Sequence, residues 1–236
     1  MRKAALFISL VMAILSASSC SRSKSGNIIV PDTPDAVTEN NVPDETEDEE
    51  EDIEILDPVE GTAFKKGKIE GNVYTSEFAG IKFTLPEGLE FMKQEDLDNM
   101  FRQALEMTSG EDRRRIMTKV TEAEVIHPAT RTMLDVSYYN LSQLCPDKLE
   151  MTEEEFFRNE IIPFVGNMGV KVTDPMTVDL GGREFTMVII GDIKKTAPRE
   201  YLYVSRIDND FIIFITACPG DFCSQEEFES WFEKAE

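Results

Sequence analysis

The sequence predicts an α+β fold in three layers, α/β/α, around one central antiparallel sheet. Three observations predict it. Phe185-Thr186-Met187-Val188-Ile189-Ile190 and Phe211-Ile212-Ile213-Phe214-Ile215 are apolar on both alternating faces, and a strand apolar on both faces is buried on both sides. Gly181-Gly182 and Asp208-Asn209-Asp210 separate consecutive strand runs as tight turns, which makes the sheet antiparallel. Apolar stripes at helical spacing supply the helices that would cover its two faces.

The chain opens with Arg2 and Lys3, an apolar run from Ala4 to Leu15, then Ser16-Ala17-Ser18-Ser19-Cys20. A positive start, a short apolar run and small residues read as a secretory signal peptide over residues 1–19. The run reaches roughly 20 Å, short of a hydrocarbon core of ~30 Å, so it is not a membrane span. Small residues leading directly into a cysteine resemble the lipobox of bacterial lipoproteins. The resemblance implies cleavage before Cys20, lipid (palmitate among its acyl chains) on the Cys20 thiol, and anchoring to the outer face of a bacterial membrane. Ala17 stands where that motif usually has Leu. Ala17-Ser18-Ser19 also reads as an ordinary cleavage site that would release a free protein beginning at Cys20.

Residues 20–65 are expected to form a disordered acidic stalk. Between residues 25 and 64 there are fourteen Asp or Glu and no Lys or Arg, and so few apolar side chains cannot offset the ordering entropy. The run Asp44–Asp52 could gather divalent cations loosely, but it has no turn glycine and no fixed ligand spacing, so it is not an EF-hand loop.

Residues 66–236 are expected to form one folded body. Asn72–Phe78 and Ile81–Leu85 read as strands around Gly80, with Ile81, Phe83 and Leu85 on one face. Gln94–Met107 carries Leu97, Met100, Phe101, Ala104 and Leu105 as one helical stripe, the spacing of core packing. Lys119–His127 and Thr132–Leu141 follow as strands. Thr152-Glu153-Glu154-Glu155 is a capping box opening a helix that Pro163 kinks or shortens. Strands then run over Val170–Leu180, Arg183–Gly191, Arg199–Ile207 and Phe211–Cys218. Ser224-Gln225-Glu226-Glu227 opens a last helix, with Phe228, Trp231 and Phe232 on one face.

The chemistry-bearing residues are few. The net charge is −22, which repels nucleic-acid phosphates and anionic headgroups. Cys20, Cys145, Cys218 and Cys223 are the cysteines. Cys218 and Cys223 are close enough for a small loop disulfide around Pro219-Gly220, or stand as two buried thiols. They are half a zinc site at best, and with His127 the single histidine carboxylates would have to complete it. His127 lies at a turn with no Ser, Cys or Asp placed beside it by a recognised motif, so it is assigned no catalytic role. Arg113-Arg114-Arg115 could seat an anion but reads first as a solvated run. Asp208 and Asp210 serve their turn. No nucleophile-elbow, metalloprotease, phosphate-loop or dinucleotide glycine motif is present. No catalytic residue, cofactor or metal ligand is therefore assigned.

Tyr74, Ser76 and Gly80–Pro86 with Glu87 and Gly88, then the hairpin Gly181–Phe185, then Tyr201–Arg206, follow an order similar to that of bacterial lipoproteins with a PsbP-like domain. The resemblance spans roughly residues 70–236 and implies an αβα sandwich and a non-enzymatic extracytoplasmic protein. No ligand residue of the photosynthetic members carries over. Two functions fit: an interaction or adaptor module docking another envelope protein, and a surface-anchored binding protein for a small ligand or cation.

Overall fold

The computed structural model describes residues 58–60, 62–108, 113, 116–144, 150–163, 170–191 and 199–235. The signal peptide, Cys20, nearly all of the stalk, Arg114, Arg115 and Cys145 lie outside the described residues. In chain order the elements are β1 (Lys68–Glu70), β2 (Val73–Ser76), β3 (Ile81–Thr84), α1 (Gln94–Glu106), β4 (Lys119–His127), β5 (Thr132–Asn140), α2 (Leu141–Leu144), α3 (Glu153–Phe156), β6 (Met176–Leu180), β7 (Arg183–Ile190), β8 (Glu200–Arg206), β9 (Phe211–Cys218), α4 (Gln225–Glu229) and β10 (Phe232–Lys234). A wider π turn, Phe157–Ile161, continues α3.

Two antiparallel sheets replace the single sheet that the sequence predicted. The larger has the order β4-β5-β9-β8-β7-β6 and the smaller β1-β2-β3-β10. The doubly apolar strands are indeed interior to the large sheet, and every residue of β9 is buried. One face, however, is covered largely by the small sheet. Tyr74, Ile81 and Phe83 from β2 and β3 pack with Val125, Val136, Tyr138, Met187 and Ile213 of the large sheet in one core. The opposite face packs Val188, Leu202, Val204, Ile212 and Phe214 against Phe156 and Phe157 of the α3 segment in a second.

The single-sheet expectation fails because two three-residue strands carry too little pattern to be read. β1 has all three residues exposed. β10 was expected as the continuation of a helix through Trp231 and Phe232. Instead α4 stops at Glu229 and the chain extends, pairing Phe232 with Phe83 and Lys234 with Ile81. Phe232 is buried and Glu233 and Lys234 are exposed, so this end follows the edge of β3 rather than a helical face. Phe64 also packs on Phe78, Tyr138 and Phe211 at ring separations of 5.2, 5.3 and 5.4 Å, ahead of Lys66.

Local signals account for several joints. Thr152 Oγ accepts from Glu155 N at 3.2 Å, and Glu155 accepts from Thr152 N at 2.9 Å, the reciprocal cap expected of that tetrad. Gly181 has φ +62°, and a Cβ there would stand 2.4 Å from the Glu233 carbonyl oxygen. Only glycine lets the β6–β7 turn lie against β10.

Candidate functional site

β4 is an edge strand, and it carries a bulge between Thr121 and Ala123. In a regular strand Glu122 and Glu124, two apart, would share one face. The extra residue sends them to opposite sides.

Glu122 turns toward the small sheet. Its carboxylate accepts from Gly67 N at 2.8 Å and from the Tyr74 hydroxyl. Tyr74 also shares a hydrogen bond with Tyr138 at 3.1 Å, and Tyr138 donates to Ser76 at 2.9 Å. Burial pushes the Glu122 carboxyl up, while its Tyr74 and Gly67 hydrogen bonds pull it down. Burial likewise pushes the Tyr74 phenol well up. The network joins both sheets, and its outer side borders a groove of about 760 Å³ between β1 and residues 89–94.

Glu124 turns the other way, under α1. Here a cavity of about 290 Å³ is walled by Leu97, Met100, Phe101, Ile116 and Met133, with Lys119, Glu124 and Asp135 at its polar end and Lys66, Gln94 and Asp98 also lining it. Lys119 donates to Asp135 at 3.2 Å, and Ser137 donates to the other Asp135 oxygen. Burial works to lower the Lys119 pKa, but Asp135, with Tyr139 and Glu124, outweighs it and holds the ammonium above its ordinary value. Glu124 is 7% exposed and Asp135 6%. Among the described residues nothing hydrogen-bonds the Glu124 carboxyl. Burial first, then the nearby Asp135 charge, push it up to about 7, against a smaller opposing pull from Lys119. A carboxyl poised near neutrality in an apolar-walled cleft can hold a cationic group or exchange a proton.

The residues singled out from sequence lie elsewhere. Cys218 and Cys223 are free thiols. Cys218 is buried in β9, whereas Cys223 packs against the first core. Burial pushes both thiols up, Cys223 to about 11. His127 Nδ1 is hydrogen-bonded to Thr130 Oγ at 2.7 Å, and Thr130 to Thr132 at 2.8 Å, within the β4–β5 hairpin. Asp208 accepts from Asp210 N and Phe211 N, both at 2.8 Å, as its turn requires. Among the described residues no three His, Cys, Asp or Glu side chains gather as a metal site, and no helix is long and apolar enough to cross a membrane.

Lys119, Glu124 and Asp135 were not singled out from the sequence. Their signal was present but mute: charged residues at alternate positions of strands otherwise apolar, with the bulge needed to sort Glu122 from Glu124.

No family model matches the chain, and no curated protein sequence matches it. Among solved structures, the solution structure of cyanobacterial PsbP (CyanoP) from Synechocystis sp. is similar. The identity is 10%, the match covers 74% of this chain and 98% of that one, and the TM-score is 0.38. At that level the likeness brings no activity, ligand or partner to this chain.

Proposed function

We propose that this chain is a non-enzymatic, exported binding protein, tethered through lipid on Cys20 and the acidic stalk, that holds a small ligand in the cleft between α1 and the β4–β5 edge. One observation carries the reading. Glu124, a buried carboxyl without a hydrogen-bond partner among the described residues, faces a cavity walled mainly by apolar side chains, with Lys119 and Asp135 at its polar end. A carboxyl that opens onto such a cleft offers a ligand a hydrogen-bond acceptor that no described side chain occupies. The export and tether rest on the residues before and at Cys20. Intact-mass measurement of membrane-extracted protein tests the lipid: a mass without acyl chains contradicts the anchor.

The cleft is tested by a thermal-shift screen of small metabolites and ions on the mature protein, because a ligand bound only to the native state raises Tm. A compound that raises Tm in the wild type and not in Met100→Trp, which fills the cleft, supports the reading. A flat screen contradicts it.

An adaptor role is the second reading, favoured by Phe101 and Met107 in and beside α1, which are 40% and 79% exposed. The other large exposed apolar residues among those described, Ile69 and Met176, lie on β1 and β6. In-cell crosslinking against a Cys20→Ala control tests it. A dominant partner lost with the anchor supports it, and no reproducible partner counts against it.

A further inference from the structure

Resting on the ligand-binding reading, we propose that the cleft takes a small amphipathic cation, its ammonium head against Glu124 and its apolar body along Leu97, Met100 and Met133.

Charge decides the class. Four described residues bring charge to the cleft besides Glu124: Lys119 on the same strand, Asp135 on β5, Asp98 on α1 and Lys66 ahead of β1. Two are positive and two negative, so they cancel. Lys119 is already committed to Asp135 at 3.2 Å, and the second Asp135 oxygen is taken by Ser137. Lys66 points its ammonium to Gln94 at 3.4 Å. With Glu124 ionised the charges of the described lining residues sum to one negative, and Glu124, attracted by Lys119 but not bonded to it, is the carboxyl without a hydrogen bond among the described residues. An ammonium answers both needs at once through a charge-assisted hydrogen bond. An anionic head would instead add to the net negative charge of the described lining residues.

The walls decide the body. Leu97, Met100, Phe101, Ile116 and Met133 offer aliphatic, thioether and ring surface, which favours a short alkyl or aryl chain over a sugar or a phosphate. A cavity of about 290 Å³ suits a small molecule, at the low end of the usual range of ligand pockets.

The pairing makes binding depend on pH. The cation binds the ionised carboxyl, and burial and Asp135 place its titration at about 7. Affinity for an ammonium therefore rises through neutrality, whereas a ligand that accepted a hydrogen bond from the protonated carboxyl would bind better in acid.

The test compares three probes matched in their apolar chain, n-hexylammonium, 1-hexanol and hexanoate. Each is titrated calorimetrically into the mature protein and into Glu124→Gln at about pH 6 and about pH 8. The expected result is binding of n-hexylammonium roughly tenfold tighter at the higher pH, the ratio of ionised Glu124 across that interval. Glu124→Gln is expected to lose both the preference and the pH dependence while still taking 1-hexanol. Hexanoate preferred, or equal binding of all three, overturns the cationic class and leaves the cleft standing as a ligand site. Binding of none of the three overturns the proposal; the ligand-binding reading itself then stands or falls on the broader screen with Met100→Trp.

Discussion

Glu124 on β4 and Asp135 on β5 stand directly opposite each other in the sheet, both buried, yet among the described residues only Asp135 is hydrogen-bonded to a cation, Lys119, and a hydroxyl, Ser137. Like charges directly opposite destabilise a strand pair. The arrangement is tolerated because Glu124 can hold its proton up to about neutral pH.

Stability should therefore fall with rising pH through Glu124. Its carboxyl titrates at 4.5 when unperturbed and about 7 in the fold. A group whose folded pKa is raised favours the fold below its unfolded value and loses that contribution as pH climbs through the folded one. Without ligand, Glu124→Gln is expected to flatten this slope. At about pH 8 it should exceed the wild type by on the order of 2–3 kcal/mol, with little difference near pH 4. Urea unfolding across that range measures it.

Glu200 gives the same sign by a simpler route. It is 3% exposed, its Oε2 has no hydrogen-bond partner among the described residues, and burial alone pushes it up to about 7. Glu200→Gln is expected to raise Tm at neutral and alkaline pH and to leave it nearly unchanged in acid, as differential scanning calorimetry at the two extremes would record.

Removing a single oxygen should loosen the join between the sheets. Tyr74→Phe keeps the ring beside Phe83, 5.1 Å between centroids, but takes one hydrogen bond from Glu122 and one from Tyr138. A loss of about 1–3 kcal/mol is expected for the polar groups left short inside the core, read from the denaturant midpoint at unchanged m-value.

Two adjacent glycines should differ. Gly181→Ala meets the Glu233 carbonyl at 2.4 Å, while the nearest atom to a Cβ at Gly182 is the Lys234 side chain at 3.7 Å. Both have positive φ, so both substitutions cost about 1 kcal/mol or more in backbone strain. Gly181→Ala should cost clearly more, and a thermal melt of each variant would rank them.

Much of the large sheet was readable because burial on both faces leaves a continuous apolar run. Phe211–Cys218 has the same bounds in the sequence and in the structure, and so does Lys119–His127. The Thr152 cap was equally plain, since its partners are three residues apart. What stayed hidden depends on partners far along the chain. Phe232 finds β3 about 150 residues earlier, and nothing near it distinguishes a short strand from the end of a helix. The α1 stripe was read as core, but only Leu97 and Ala104 of it are buried. Met100 and Phe101 instead wall the cleft. The cleft's acids are not legible in sequence because Glu122 and Glu124 look equivalent until the bulge separates them.

The reading of the cleft turns on Glu124, a carboxyl with no hydrogen-bond partner among the described residues. Carbon-13 NMR of the glutamate side-chain carboxyls, assigned by Glu124→Gln, follows its titration directly, first without ligand and then with n-hexylammonium. A midpoint near 7 is expected in the free protein, displaced downward when the ammonium binds. A midpoint near the ordinary 4.5, unmoved by the probe, would contradict it.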